Sequence, residues 1–290
     1  MTLRQALTAA AAELANNEHL RATASRDAEV LLLHTLKIPR VTFLAYPSRD
    51  ITAEQSALYG ASIARRLKHE PIQYITGQQE FYGLLLEITP AVLIPRPETE
   101  HLVEAVLARL PKNIPIQIAD IGTGSGAIAI SLAVHLPNAE ITALDISPEA
   151  LDVATANARK HNVAQRIHLL QSDLLSAVSQ SSQCFDAIVS NPPYVSESDR
   201  AGLHPQVRDH EPATALFAGR DGLDLYRRLI PQAHAVLKPN GLLALEIGHG
   251  QREALATLLT SWQEVSFVDD LQQIPRVALA RKPATSSQKG

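Results

Sequence analysis

Apolar residues recur at three- and four-residue spacing through the first 75 positions, which is the pattern of amphipathic helices. One predicted stripe consists of Leu3, Leu7, Ala10 and Leu14, and a second of Val30, Leu31, Leu33, His34 and Leu36. A third helix is predicted to begin after the capping residue Thr52 and to end near Lys68, with Arg65, Arg66 and Lys68 on a solvated face. We therefore expect a small all-α domain over residues 1–75.

The pattern changes after residue 75. Gly77, Gly83 and Pro90 punctuate short apolar runs, which predicts a β-hairpin linker over residues 76–95. From residue 115 onward, strand-like apolar runs alternate with helical segments. The predicted strands lie at 116–121, 141–144, 167–170, 185–190 and 242–247, with short β runs near 264–268 and 277–281, and the predicted helices at 127–136, 148–161, 222–237 and 250–260. This alternation indicates an α/β domain over residues 96–290, with an open, mostly parallel sheet and helices on both faces.

Composition limits the classes of function. The 290 residues include 26 Lys and Arg against 30 Asp and Glu, a formal net charge of −4. Affinity that depends on neutralising phosphates needs a dense basic surface, so this balance argues against a DNA substrate. The single cysteine, Cys184, excludes an intramolecular disulfide and a multi-cysteine metal site, and its place before an apolar strand predicts a partly buried side chain. No metal site is expected, because the 11 histidines form no H-x-x-x-H pair.

The start of the sequence, MTLRQALTAA, lacks the pattern of a secretory signal peptide. The longest uncharged apolar stretch, residues 126–136, is far shorter than the roughly 20 residues that span a bilayer. Together with the low cysteine content, these features predict a cytoplasmic protein without a membrane partner.

A glycine-rich turn follows the first predicted strand of the sheet. Its residues are Gly122, Thr123, Gly124, Ser125 and Gly126, and a helix is predicted from Ala127. Glycines let the backbone turn sharply and let a ligand approach without a side chain in the way. The spacing also fits the G-x-G-x-x-A pattern of dinucleotide sites, so the turn predicts either a nucleotide-type ligand or a plain strand-to-helix connection.

Asp145 favours a nucleoside ligand. It stands at the end of the second strand, 19 residues beyond Gly126, where a carboxylate can accept hydrogen bonds from both hydroxyl groups of a ribose. The alternative is an acid that caps the helix beginning near Ser147 and Pro148. Combined with the glycine turn, the nucleoside interpretation is favoured, but it does not separate NAD from another nucleoside cofactor.

The four residues Asn191, Pro192, Pro193 and Tyr194 separate these cofactors. They follow the apolar strand at 185–190, and two prolines remove two backbone N–H donors, so the loop presents acceptors. The Pro192 carbonyl and the Asn191 side-chain oxygen can accept both N–H groups of a planar –NH2, which could then attack a methyl sulfonium while Tyr194 offers a flat face. A rigid turn without a ligand is the alternative. Strand-end loops at this edge are where open α/β sheets bind ligands, which favours the site.

These motifs carry a resemblance. The order D-x-G-T-G-S-G, Asp145, Gln171-Ser172-Asp173 and Asn191-Pro192-Pro193-Tyr194 resembles class I S-adenosyl-L-methionine-dependent methyltransferases that modify planar amide or amino nitrogens. Within that group the chain is similar to the family of glutamine methyltransferases that act on peptide chain release factors. Further segments that match the family are residues 69–77, LIPRPETE at 93–100 and LEIG at 245–248. The resemblance therefore covers essentially residues 1–282.

The resemblance implies a Rossmann-like sheet, S-adenosyl-L-methionine as cofactor, and class 1 release factors as substrates through their Gly-Gly-Gln motif. It implies that residues 122–126 pack against the methionine end and ribose of the cofactor, that Asp145 holds the ribose hydroxyls, and that Asp173 and Leu174 flank the adenine. Relatives can carry a tryptophan at the position of Leu174, so we expect less stacking here, by about 0.5–1.5 kcal/mol. The catalytic residues are implied to be Asn191, Pro192 and Tyr194, which with Pro193 hold the substrate amide. Asn191 is implied to bind the cofactor as well.

Three alternatives share part of this evidence. A glutamine methyltransferase acting on a ribosomal protein would share the core motifs, and the string at 94–100 favours the release-factor branch. An adenine-N6 DNA methyltransferase would also present an –NH2 group, but the acidic balance argues against it. An NAD-dependent or regulatory nucleotide-binding module would leave residues 191–194 without a role. We further expect a monomer in which residues 1–75 dock the folded protein substrate.

Overall fold

The computed structural model describes residues 1–179 and 184–284, in two compact units. One unit consists of residues 1–78 and 202–211, and the other of the described residues from 79 to 201 and from 212 onward. The helices α1 to α11 are Leu3–Ala15, Ala24–Leu36, Arg40–Ala45, Ala53–Leu67, Ile72–Thr76, Pro97–Leu107, Ala127–His135, Pro148–Lys160, Pro205–Arg208, Asp224–Val236 and Arg252–Leu258. The strands β1 to β9 are Gln78–Phe81, Leu84–Glu87, Ile116–Ile121, Ala139–Asp145, Ile167–Gln171, Phe185–Ser190, Leu237–Glu246, Gln263–Asp269 and Pro275–Arg281.

The first unit packs α1, α2 and α4 around an apolar core. Thr2 and Thr52 each begin a helix with a capping box, in which Gln5 and Gln55 return the hydrogen bond to the capping backbone. The predicted stripe on α1 is confirmed at Leu3, Ala10 and Leu14, which are buried, whereas Leu7 is half-buried. Local capping and helical spacing therefore account for α1 and α4 directly.

The predicted stripe on α2 is wrong in part. The buried face consists of Ala24, Asp27, Ala28, Leu31 and Leu32, and His34 is exposed. The helix buries a carboxylate because the Arg66 guanidinium of α4 donates to it, with 2.8 Å between Arg66 Nε and Asp27 Oδ2. For the same reason the expected solvated position of Arg66 is wrong, since its side chain is only 5% exposed.

The second unit contains a seven-stranded sheet in the order β5-β4-β3-β6-β7-β9-β8. The strands from β5 to β7 are parallel, and β9 and β8 run antiparallel to their neighbours. The strands β1 and β2 form a separate two-stranded sheet. The predicted α/β class is confirmed, and the strand predicted at 185–190 has the bounds of β6. The strand predicted at 242–247 begins five residues earlier, at Leu237.

The chain order creates a ligand crevice at one edge of this sheet. From the central strand β3 the chain proceeds outward to β4 and β5, and then returns to β6 on the other side of β3. Parallel crossovers are right-handed, so connections running in opposite directions place α7 and α8 on one face and α10 on the other. The loops leaving β3 and β6 therefore diverge, and the space outside their carboxyl ends is open to a ligand.

The remaining observations concern the burial of Cys184 and the length of the apolar helices. The side chain of Cys184 is exposed, so its predicted partial burial is wrong; it precedes the first inward-facing residue of β6, Phe185. Within the described ranges, no helix is long and apolar enough to cross a bilayer.

Candidate active site at the carboxyl edge of the sheet

A cleft of about 330 Å³ lies at the carboxyl ends of the parallel strands. The predicted site residues that line it are Gly122, Gly124, Asp145, Asp173, Leu174, Asn191 and Pro193. Thr123, Ser125 and Pro192 are buried, and they lie with Gly126 and Tyr194 outside the lining of the cleft. The predicted residues thus divide into those that face the cleft and those that support it.

The glycine turn between β3 and α7 contains residues that face the cleft and residues that support it. Gly122, Gly124 and Gly126 have φ values of 70°, 55° and 81°, in the left-handed region that favours glycine. A Cβ atom at Gly122 or Gly124 would meet no heavy atom within 4 Å, so open space faces these two residues. At Gly126 a Cβ would lie 2.9 Å from Ile130 Cδ1 and 3.3 Å from Ala154 Cβ, so that glycine permits close helix packing.

Asp120 anchors this turn from the end of β3. Its Oδ2 accepts from the Thr123 hydroxyl at 2.7 Å and from the Ala129 backbone N–H at 3.2 Å. Complete burial raises the pKa of Asp120 to about 7, and Oδ1 has no hydrogen-bond partner in the described part of the chain. The carboxyl group therefore joins the turn to the first turn of α7, a role that the sequence pattern did not reveal.

Asp145 joins the glycine turn to the end of β4. Its Oδ2 accepts from the Gly124 N–H at 2.8 Å, and its Oδ1 accepts from the Ser147 N–H at 3.0 Å. The residue that caps α8 is Ser147, whose hydroxyl accepts from the Ala150 N–H at 3.1 Å. Each carboxylate oxygen has more than one lone pair, so Asp145 can still accept hydrogen bonds from a ligand in the cleft.

A second acidic residue, Asp173, lies beyond β5 and is paired. Arg228 of α10 donates to it, with 2.6 Å between Arg228 Nη2 and Asp173 Oδ2, and Arg228 also lines the cleft. Leu174 has a φ of 52°, and it packs partly buried against the apolar core. Arg228 lies 55 residues from Asp173 in sequence, so no local pattern predicted this pair.

The loop after β6 is fixed by its side chains. Asn191 Nδ2 donates to Thr99 Oγ1 at 3.0 Å, and the Tyr194 hydroxyl donates to Glu246 Oε1 at 3.3 Å. Burial and the nearby carboxylate raise the pKa of Tyr194, so this phenol stays protonated. Because its NH2 group faces Thr99, the oxygen is the end of the Asn191 amide that remains for a ligand.

A glutamine side chain holds the backbone that follows. Gln251 Nε2 donates to the carbonyl of Tyr194 at 3.1 Å and to that of Gly222 at 3.2 Å, while the Gly248 N–H donates to Gln251 Oε1 at 2.9 Å. The next residue, Val195, is also held, because it forms an isolated parallel β-bridge with Phe217. These bonds fix Tyr194 at both its main chain and its hydroxyl.

Sequence reasoning missed Thr99, Glu246, Gln251 and Arg228 as parts of the site. Thr99 and Glu246 stand in the strings quoted for the resemblance but received no role. A usable signal existed for Glu246, because an acid inside the apolar run LLALEI is an expensive residue to bury.

Comparisons with known proteins find two family models that match parts of this chain and a solved structure with a similar fold. A family model described as Methyltransferase small domain matches residues 99–205, and one described as PrmC N-terminal domain matches residues 5–77. The hMettl16 catalytic domain in complex with MAT2A 3'UTR hairpin 1 has a similar fold, with a TM-score of 0.56 at 18% identity, covering 82% of this chain and 84% of that chain.

Relatives with higher identity cover nearly the whole chain. The release factor glutamine methyltransferase of Koribacter versatilis is 45% identical over 289 residues, which are 98% of this chain and 100% of the relative. The release factor glutamine methyltransferase of Moorella thermoacetica is 48% identical over 258 residues, which are 89% of each chain. With identity at this level over nearly its whole length, the chain belongs to the release factor glutamine methyltransferase family.

Proposed function

We propose that this protein transfers a methyl group from S-adenosyl-L-methionine to the side-chain amide nitrogen of the glutamine in the Gly-Gly-Gln motif of class 1 peptide chain release factors. The observation that carries the proposal is the loop at 191–194, where Asn191 and Pro193 line the same cleft as Gly122 and Gly124 of the glycine turn. The names of the close relatives support this choice over a ribosomal-protein substrate or DNA.

The residues of the cleft suit a nucleoside cofactor. Gly122 and Gly124 face open space that a Cβ would enter, and Asp145 keeps acceptor capacity beside them. Asp173 and Leu174 would flank the adenine, with Arg228 holding the Asp173 carboxylate in place. When bound, S-adenosyl-L-methionine supplies an electrophilic methyl group on a sulfonium.

Residues 191–194, which we call the acceptor loop, would activate a poor nucleophile by holding it in position. A carboxamide nitrogen shares its lone pair with its carbonyl, so it is a poor nucleophile. Acceptors of hydrogen bonds from both of its N–H groups would place negative partial charge beside the nitrogen, where positive charge develops as the methyl group is transferred. Asn191 Oδ1 and the Pro192 carbonyl would accept these two bonds, and Tyr194 would hold the plane of the amide. Preorganised groups aimed at a developing charge contribute about 3–4 kcal/mol each to transition-state stabilisation. No strong base is needed, because the proton can leave after the methyl group has moved.

The helical unit would dock the body of the release factor. Val41, Leu44 and Tyr46 are 68%, 61% and 65% exposed, and exposed apolar side chains close together in sequence are typical of protein-binding surfaces. Binding energy gained at such a remote surface would hold the glutamine in reactive alignment. We further propose that the enzyme acts as a monomer in the cytoplasm, where release factors act, and that it has no DNA substrate.

The test is mass spectrometry of a purified release factor after incubation with the protein and S-adenosyl-L-methionine. A mass increase of one methyl group on the Gly-Gly-Gln peptide is expected, and a ribosomal-protein mixture and a DNA duplex serve as competing substrates. Asn191→Ala should lower kcat at least tenfold, because one of the two amide acceptors is lost, while urea unfolding should show that the variant keeps its fold. Methylation of another substrate in preference to the release factor would contradict the proposal.

A further inference from the structure

A buried chain of hydrogen bonds lies behind the acceptor loop. Asn191 Nδ2 donates to Thr99 Oγ1 at 3.0 Å, and the side chain of Thr99 is hydrogen-bonded in turn to the carboxyl group of Glu246. The Tyr194 hydroxyl donates to Glu246 Oε1. Thr99 is 4% exposed and Glu246 is 1% exposed, so water does not substitute for these contacts. The loop residues Asn191 and Tyr194 thus converge on one buried acid.

The direction of this chain is determined by the number of protons. Glu246 Oε2 has no hydrogen-bond partner in the described ranges, so Thr99 and Tyr194 both bond to Oε1. When Glu246 is ionised, its oxygens only accept, and the Thr99 hydroxyl donates its one proton to Oε1. The Thr99 oxygen can then only accept toward Asn191, so it takes the NH2 end of that amide. The Asn191 oxygen is left for the substrate. With the opposite direction, the amide would present its NH2 group to the substrate NH2, and two donors would face each other.

The burial of Glu246 indicates that this acid has a purpose beyond packing. Its Oε2 has no hydrogen-bond partner in the described ranges, and the carboxyl group lies close to Glu98 as well as to Arg276. Arg276 is engaged with Asp270 at 2.9 Å. Burying a carboxyl group with one oxygen unpartnered costs free energy that a leucine would not. The group therefore lowers stability, and such residues are found at functional sites.

We propose that Thr99 and Glu246 are positioning residues that fix the orientation of the Asn191 amide, so that its oxygen and not its nitrogen faces the glutamine amide. The proposal rests on the proposed function, since it concerns how the acceptor loop meets its substrate. Thr99 acts through Asn191, and Glu246 acts through Thr99 and also holds the Tyr194 hydroxyl.

The test uses three variants of the full-length protein and one control. Thr99→Val removes the hydroxyl at nearly constant volume, Thr99→Ser retains it, and Glu246→Leu removes the oxygen that accepts from the Thr99 and Tyr194 hydroxyl groups. Ser131→Ala is the control, because it removes another buried hydroxyl whose bond, to the Ala127 carbonyl at 2.7 Å, lies within α7. We measure kcat and KM with intact release factor, affinity for S-adenosylhomocysteine by calorimetry, and the side-chain amide signal of Asn191 by NMR, assigned by its loss in Asn191→Ala.

Thr99→Val and Glu246→Leu are expected to lower kcat on the order of tenfold, the effect of one hydrogen bond, while the proteins stay folded. Both should shift the Asn191 amide signal, whereas Thr99→Ser and Ser131→Ala should retain kcat and the signal. In an Asn191→Ala background, Thr99→Val should have no further effect on kcat.

Wild-type kcat in Thr99→Val would overturn the proposal, as would an equal loss in Thr99→Ser or Ser131→Ala. An undiminished effect of Thr99→Val in the Asn191→Ala background would also overturn it, because the residue would then act independently of Asn191. If the wild-type protein itself methylates no release factor, the proposed function fails instead, and the NMR signals still report whether Thr99 orients the amide.

Discussion

Gly222 lies outside the acceptor loop, but Gly222→Ala should displace that loop. Gly222 has a φ of 73°, and a Cβ placed there would lie 2.2 Å from the Tyr194 carbonyl oxygen and 3.0 Å from Gln251 Nε2. A carbon and an oxygen atom need about 3.2 Å, so the two backbones would have to separate by about 1 Å, the scale at which misplacement costs activity. Gln251 bonds both of these carbonyls, so it cannot keep its two hydrogen bonds after such a shift.

Gly83→Ala is the matched control for the backbone conformation. Its φ is 75°, and a Cβ there would meet no atom within 4 Å. Both variants carry the strain of a left-handed residue, about 1–2 kcal/mol. Gly222→Ala carries in addition the contact with Tyr194 and the loss of a partly buried hydrogen bond, about 1–3 kcal/mol.

The assay combines urea unfolding with kcat on intact release factor. We expect Gly83→Ala to lose about 1–2 kcal/mol of unfolding free energy and to keep its kcat, and Gly222→Ala to lose more and to fall at least tenfold in kcat. If Gly222→Ala is too unstable to measure, Gln251→Ala removes the same two bonds without the steric contact, and it should lower kcat in the same direction. Equal stability of both glycine variants with wild-type kcat in each would refute the reasoning.

Three further predictions follow from the site and the helical unit. Asp145→Ala should weaken binding of S-adenosylhomocysteine in calorimetry more than it lowers kcat at saturating cofactor, since ribose contacts are made equally in the ground and transition states; a hundredfold loss of kcat at unchanged affinity would contradict this. Burial raises the pKa values of Glu246 and Asp120 to about 7, so the native state holds protons that the unfolded state releases, and the unfolding free energy should fall as pH rises from about 5 to about 7.5. Glu246→Gln should remove its share of this slope, on the order of 3 kcal/mol, and an unchanged slope in urea titrations would count against a raised pKa. Leu44→Glu should raise the KM for intact release factor with little change in kcat, whereas Ile114→Glu, at a site 54% exposed in the other unit, should not.

The sequence alone determined the features that depend on neighbours along the chain. Strand β6 and the turn after β3 were predictable because apolar runs, glycines and prolines act on the backbone within a few residues. Their order also predicted that Gly122, Asp145 and Asn191 meet, because parallel strands place their carboxyl ends at one edge of the sheet. The fold class and the position of these three residues at one cleft therefore followed from local patterns and one rule of topology, whereas Asp173 and Leu174 were assigned to the site only through the resemblance.

Tertiary structure decided which polar groups are buried and what holds them. Asp27 can be buried in the apolar stripe of α2 because Arg66, 39 positions away in sequence, donates to it. Thr99 and Asn191, which are hydrogen-bonded, are 92 positions apart. A buried polar side chain is stabilised only by a specific partner, and neither composition nor periodicity records which distant residue supplies it. The face of the Asn191 amide that is offered to a substrate is set by such partners, so it could be read only from the folded chain.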